Sequence, residues 1–365
     1  MVRTISENFQ KGITIITPAY KCEDYILNLL NSLNKQSIDF NLFEILIVIN
    51  GERDNTENIV KNFKNKNPHL NIKIFESEKG ASNARNVAIE NIEREYTIFI
   101  DADDYISSNY LEKLYSYAST NRIVFGSFWD VEFETNEIIK TYFTDFLLNN
   151  QGVTEINKFL PGSLIITTNK LVPSYYIKQV KFNPNLRNSV DVAYFSRFYS
   201  KFDLELFILP KEEEAIYYRL RVPNSLSRSP ISYQHNITDK IKVMKEVDND
   251  IKHIENIKAK KALIKLINVG QMTFINRYLD KYPEDYNKVL KDIQNADIEN
   301  FKRIPLTDKL KEYNPTLVTI ENLKQDIKIL RKENNYYKRL LKTKPYKIAG
   351  LLRKISLKIR KNLLK

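Results

Sequence analysis

A chain of 365 residues, 42% hydrophobic and 28% charged, can bury one large core with appendages and has the composition of a soluble globular protein, which excludes a minimal peptide module. The net charge is +12, yet Lys342, Lys344, Lys347, Arg353, Lys354, Lys358, Arg360, Lys361 and Lys365 bring nine positive charges and no acid to residues 342–365, so a near-neutral body argues against a nucleic-acid-binding core. One cysteine, Cys22, excludes an internal disulfide framework and fits a reducing compartment, while three histidines, His69, His235 and His253, argue against a His-rich metal site.

Glu7, Asn8, Gln10 and Lys11 interrupt any apolar core near the N-terminus, and no run approaches the ~20 apolar residues of a spanning helix. The expectation is a cytoplasmic protein, or one attached to a membrane from that side. Ile13-Thr14-Ile15-Ile16 reads as a first strand, expected to stop at Thr17-Pro18 because proline removes a ladder donor. A loop carrying Ala19-Tyr20 leads to a helix from about Glu23, with Ile26, Leu29, Leu30 and Leu33 on one face. Phe43 to Ile49 is a second buried strand, ending in a Gly-containing turn, Asn50-Gly51-Glu52-Arg53-Asp54-Asn55-Thr56, in which Asp54 can cap the next helix. Asn71 to Phe75 makes a third strand, Gly80 to Ile92 a helix, and Tyr96 to Asp101 a fourth strand. Strands alternating with helices at this spacing predict a mostly parallel α/β sheet with its ligand at the carboxyl ends of the strands. Thr17 to Tyr20, Asn50 and Asp101 to Asp104 all lie at such ends and would share one crevice.

The fourth strand delivers Asp101, Asp103 and Asp104 within four positions. Crowded carboxylates call for a cation, and hard oxygen donors suit Mg²⁺ or Mn²⁺. The alternative is an Asp-rich turn with a helix cap on Ser107 or Ser108. No GxGxxG follows the first strand and no GxxxxGK[ST] occurs, so the usual backbone cradles for a nucleotide's phosphates are missing. A divalent cation on Asp103 would hold them instead.

Thr17-Pro18-Ala19-Tyr20, Asn50 to Thr56, Gly80-Ala81-Ser82-Asn83-Ala84-Arg85-Asn86 and Ile100-Asp101-Ala102-Asp103-Asp104 occur in an order and spacing that resemble the GT-A, family 2 nucleotide-sugar glycosyltransferases, over roughly residues 10 to 230. The resemblance implies a Rossmann-like GT-A domain. It implies that the first loop and Asn50 hold the nucleoside and that Ala84-Arg85-Asn86 line the same pocket. It makes Asp101 and Asp103, flanking Ala102, the DxD pair: the first contacts the ribose or bridges to the metal, the second coordinates Mn²⁺ or Mg²⁺ beneath the diphosphate. Arg85 would otherwise be a surface or intradomain salt-bridge residue. The family usually has Asp-Asp where this chain has Ile49-Asn50. Uracil remains the expected base, but Asn50 can also donate to an unprotonated ring nitrogen, which opens the site to cytosine or another base.

Ile123 to Phe128 and Ile138 to Phe143 read as strands, with Trp129, Tyr142 and Phe146 nearby; aromatics can stack on sugars, although in a chain with 22 tyrosines most are packing. Pro161-Gly162-Ser163 with Thr168-Asn169-Lys170-Leu171 resembles the family's return to the sheet. Asp191 opens an amphipathic helix, where it could be a cap or dipole partner. The family places a Glu-Asp or similar pair here as the general base, and Val190-Asp191 keeps the second acid. Asp191 is therefore the candidate that takes the acceptor's proton as its oxygen attacks C1 opposite the diphosphate, with inversion. Tyr217 to Arg228 resembles the closing segment, making Arg221, Ser225 and Ser227 candidates for the donor. Arg219 and Arg221 share a side of one strand and could both face solvent.

After about Asn236 the strand signal ends, and Leu263, Leu266, Ile267, Gly270 and Phe274 recur at helical spacing. Ile320, Leu323, Ile327, Leu330, Asn334, Tyr337 and Leu341 make an a/d seam of three heptads, either a self-associating helix or one packed on the body. Ile348, Leu352, Ile355, Ile359 and Leu363 line one face of a cationic segment suited to an anionic membrane surface; nucleic acid or a solvated tail would leave that stripe unexplained. The expected layout is a GT-A domain over 1–236, a helical appendage over 237–315, a coiled-coil helix over 316–342 and an amphipathic tail over 343–365. The expected function is metal-dependent, inverting transfer from a UDP-sugar to a lipid-linked or cell-surface glycopolymer such as capsule or teichoic acid, on the inner face of the membrane. A catalytically weak glycan-binding or scaffolding module is the alternative.

Overall fold

The computed structural model describes residues 9–222 and 230–300; Ser225, Ser227 and the segments 316–342 and 343–365 lie outside the described residues. The chain divides into two compact units, Met1–Tyr278 with Asp285–Ile304, and Leu279–Glu284 with Pro305–Lys365. The strands of the described residues all belong to the first: β1 (Gln10–Ala19), β2 (Phe43–Asn50), β3 (Ile72–Ser77), β4 (Arg94–Phe99), β5 (Tyr105–Ile106), β6 (Arg122–Phe125), β7 (Ser127–Glu132), β8 (Ile138–Ile139), β9 (Gly152–Thr154), β10 (Lys170–Pro173), β11 (Glu205–Ile208) and β12 (Ile216–Arg221). The helices are α1 (Ile26–Leu33), α2 (Thr56–Lys66), α3 (Ala81–Glu90), α4 (Tyr110–Ser116), α5 (Tyr142–Asn149), α6 (Pro161–Ile165), α7 (Ser174–Ile177), α8 (Val190–Lys201), α9 (Asp239–Lys252), α10 (Ile257–Lys265), α11 (Met272–Lys281) and α12 (Tyr286–Asn295).

The main sheet runs β3-β2-β1-β4-β10-β6-β11-β9. Its first four strands are parallel, and β10 enters antiparallel to both β4 and β6. Every residue of β2 is buried, as expected of an apolar run covered on both faces. α1 buries Ile26, Leu29, Leu30 and Leu33, the predicted stripe.

Two local expectations are corrected. β1 does not stop at Thr17-Pro18 but continues beside β2, pairing Pro18 with Val48 and Ala19 with Ile49. The Ile16 carbonyl accepts from Ile100 N–H at 3.0 Å, so Ile16 faces β4, and by alternation so does Pro18. β4 ends at Phe99, the partner of Ile16, so the missing proline N–H falls beyond the ladder. Tyr142 and Phe143 begin α5 rather than ending a strand, because Thr141 and Thr144 form a reciprocal capping box at its N-terminus.

A second sheet, β5-β12-β7-β8, is continuous with the first through β6 and β7, which are separated only by Gly126. A Cβ there would meet Tyr110 Cε2 at 2.6 Å and the Ala215 carbonyl at 3.1 Å. The glycine lets the chain switch sheets while β11 and β12 follow in parallel beside it. The helical region expected after Asn236 is present. α9 packs on α8 and buries Val243, Met244, Val247 and Ile251. Among the described residues no helix is long and apolar enough to cross a membrane.

Gly126→Ala is expected to destabilise the protein by ~1–3 kcal/mol through this overpacking, read as a lower urea midpoint with an unchanged slope. A wild-type midpoint would show that the sheet junction tolerates a methyl group.

Candidate active site

The carboxyl ends of β1, β2 and β4 lie side by side as expected, and Asn50 ties the first two to the entrance of α3. It is 3% exposed. Its Nδ2 donates to the Ala19 carbonyl at 3.0 Å, and its Oδ1 accepts from Gly80 N–H at 3.1 Å. One side chain thus fastens the end of β1 to the entrance of α3. At the end of β1, Thr17 and Ala19 are buried and Pro18 is half-buried, and Tyr20 just beyond it opens to solvent. The Tyr20 ring is flanked by Lys79 at 5.2 Å and Lys21 at 5.8 Å, both paired with Glu52.

The acidic stretch turns immediately after β4, with Asp104 N–H donating to the Asp101 carbonyl at 3.1 Å. Its three carboxylates have different surroundings. Asp101 accepts from Arg85 Nη2 at 2.9 Å. Arg85 comes from α3, is 7% exposed, lies 5.4 Å from the Phe182 ring and leaves its Nε without a hydrogen bond. Asp104 is buried and accepts from Tyr217 Oη at 2.5 Å and Leu220 N–H at 2.9 Å. Burial, then Asp103 and Asp101, push its carboxyl well above the ordinary range. Its role is to lock β12 against the end of β4.

Asp103 is half-buried. Burial and the neighbouring Asp101 push its carboxyl up to about 6, against a weaker opposing pull from Arg219. Among the described residues no group of three His, Cys, Asp or Glu side chains gathers around one point. A hard divalent cation commonly takes only one or two carboxylates, with water and phosphate oxygens completing its shell. The crowded Asp101 and Asp103 carboxylates fit such an ion, which would relieve their repulsion.

β12 carries Arg219 and Arg221, and both turn to Asp130 on the parallel strand β7. Arg219 binds Asp130 in a fork, Nε to Oδ1 at 2.9 Å and Nη2 to Oδ2 at 2.8 Å. Arg221 reaches Glu132 at 3.3 Å and Asp130 at 3.9 Å. Of the two it is Arg219 whose charge acts on Asp103 and Asp104. The sequence offers Arg221 as a donor candidate and Arg219 only as its neighbour on one side of the strand, and it does not single out Asp130, since only strand register reveals that this acid faces two arginines.

Asp191 lies in the first turn of α8, two positions after Ser189, whose backbone is left-handed at φ 52°. Its Oδ1 accepts from Val192 N–H at 2.9 Å. Burial raises its carboxyl, while Arg85 and Lys240 pull it down. Behind it Lys170 is fully buried, donates to the Leu164 carbonyl at 2.8 Å and lies 3.8 Å over the Phe195 ring. Burial drives this ammonium well below its ordinary range, opposed by Asp191. Arg85 therefore pairs with Asp101 and also lowers the Asp191 carboxyl electrostatically.

The family model for Glycosyl transferase family 2 matches residues 14–201. Over 102 residues the chain is 39% identical to poly(ribitol-phosphate) beta-N-acetylglucosaminyltransferase TarS of Staphylococcus aureus, covering 27% of this chain and 17% of that protein. It is 27% identical over 198 residues to glycosyltransferase GlyG of Streptococcus pneumoniae, covering 51% and 64% respectively. The chain thus spans less than two thirds of each of these relatives. The crystal structure of S. aureus TarS 1–349 in complex with UDP-GlcNAc superposes with a TM-score of 0.60 at 19% identity, over 82% of this chain and 95% of that one, a likeness of fold. With more than half of its residues matched by the family model, the chain belongs to glycosyl transferase family 2.

Proposed function

We propose that this chain is a metal-dependent, inverting glycosyltransferase that moves a sugar from a UDP-sugar to a hydroxyl of a lipid-linked or cell-surface glycopolymer. The observation that carries the reading is Arg85, whose charge serves both Asp101 and Asp191 and so joins a donor side to an acceptor side. The UDP-GlcNAc bound to TarS in its crystal structure, and the poly(ribitol-phosphate) in that relative's name, support the substrate classes.

In this reading Tyr20 offers its exposed ring to the nucleoside, and Asn50 keeps the loops around it in place. Asp101 would face the ribose, and Asp103 would hold Mn²⁺ or Mg²⁺ for the diphosphate. When bound, that cation stabilises the negative charge developing on the departing nucleoside diphosphate. Asp191 accepts the proton of the acceptor hydroxyl as its oxygen bonds to C1 and the bond from C1 to the phosphate oxygen breaks on the opposite face. Residues 343–365 would dock on the anionic inner face of the cell membrane, and 316–342 would associate with a second copy.

Release of nucleoside diphosphate from a panel of nucleotide sugars, titrated with Mn²⁺, tests the chemistry. Asp103→Ala should lower kcat/KM by on the order of 10²-fold or more and abolish the metal response. Turnover that ignores both metal and this substitution would refute the metal role. No turnover with any donor, together with retained glycan binding, would favour a binding module.

Because burial raises Asp191, its ionised form is lost as pH falls through a range above that of an ordinary carboxylate. The rate should therefore climb with rising pH there, and Asp191→Asn should cost roughly 10²- to 10⁴-fold and remove that limb. Wild-type turnover in Asp191→Asn would sink its role as base. Removal of residues 343–365 should release the protein from anionic vesicles in a sedimentation assay, and unchanged binding would refute the membrane segment.

A further inference from the structure

The family model ends at residue 201, yet a side chain from beyond that span reaches the turn that leads into α8. Lys240, near the start of α9, is 2% exposed. Its Nζ donates to Asn188 Oδ1 at 2.8 Å and to Ser189 Oγ at 2.6 Å, and it lies 3.9 Å over the Phe274 ring. Asn188 donates from Nδ2 to Asp239 Oδ2 at 2.8 Å, and Gln234 Nε2 binds the other oxygen of Asp239 at 2.7 Å. The two residues that bind Lys240 immediately precede α8, and Ser189 holds the left-handed conformation that a non-glycine residue keeps only where its surroundings fix it.

We infer that Lys240 is a positioning residue for transfer: from the C-terminal helical region it fixes the Asn188–Ser189 turn, and with it the end of α8 that presents Asp191, while facing that carboxylate with a positive charge. This rests on the reading of Asp191 as the acceptor-side base. Three basic side chains interact electrostatically with Asp191 from the elements around it, Arg85 on α3, Lys170 on β10, whose charged form burial disfavours, and Lys240 on α9, and His235 lies beside Asn188. Arg85 is committed to Asp101, and Lys170 donates to the Leu164 carbonyl. Of the three, Lys240 is the one bonded to the two residues that lead into α8, just before Val190 and Asp191. It also couples the helical region to the chemistry, since Lys240 and Asn188 are 52 positions apart in the chain.

The test uses the full chain with a UDP-sugar donor, following kcat across pH and measuring UDP affinity by calorimetry. Lys240→Met should lower kcat roughly 10- to 100-fold with UDP affinity within about twofold. It should also move the acid limb to higher pH, because loss of a facing positive charge disfavours the ionised carboxylate. Lys240→Arg should recover most of the rate and return the limb. Wild-type kcat with an unmoved limb in Lys240→Met overturns the inference, as does an equal loss in the Met and Arg variants with no shift. If Lys240→Met fails to fold, Ser189→Ala and Asn188→Ala, which keep the lysine, decide: each should lower kcat several-fold, and wild-type kcat in both overturns the role. Asp191→Asn separates the two levels. Wild-type turnover in that variant removes the base on which the inference rests, whereas lost turnover there beside an unaffected Lys240→Met removes only the lysine.

Discussion

The pair of Arg85 with Asp101 is the contact on which the crevice depends. A guanidinium that is 7% exposed needs a partner, because a buried charge left alone is costly, and Asp101 supplies it at 2.9 Å. The pair joins α3 to the end of β4, and α3 is itself anchored at its entrance by Asn50 from β2. Two helix-strand units are thereby held in one geometry at their carboxyl ends. The same cation lowers the half-buried carboxyl of Asp191, so one side chain acts on both acids.

Around this pair the acids divide the work. Asp104 gives both oxygens to β12, through Tyr217 and Leu220, and is spent on structure. Asp103 keeps its carboxylate in a half-buried place beside Asp101, where charge is penalised and a cation would be welcome. Asp130 restrains two arginines of β12, one of which acts on the acidic turn. The second sheet is therefore a brace behind the turn, reached only because Gly126 lets the chain pass between sheets. The helices after residue 230 support the start of α8, with α9 against α8 and Lys240 on the Asn188–Ser189 turn.

Much of this was legible in the chain, for reasons that are local. An apolar run such as Phe43 to Ile49 must be covered on both faces, and its alternation with amphipathic helices is enough to predict a parallel sheet and a crevice at the strand ends. The stripe of α1 and the position of Asp101 to Asp104 at the end of β4 follow from spacing alone. The errors also had local causes. Proline was read as a strand breaker at Pro18 because the sequence does not say which neighbour its nitrogen faces, and Thr141 was not recognised as a cap.

Thus the sequence by itself determined the order of elements, the parallel sheet and the acidic turn that ends its fourth strand, because periodicity and strand-end chemistry act over a few residues. Tertiary structure alone decided which acids are used up and which stay available. Asp104 is taken by Tyr217, 113 positions away, and Asp130 by Arg219, 89 positions away. The physical reason is that a hydrogen bond or ion pair requires contact within a few ångströms, and register and packing, which no local pattern encodes, bring such distant groups together.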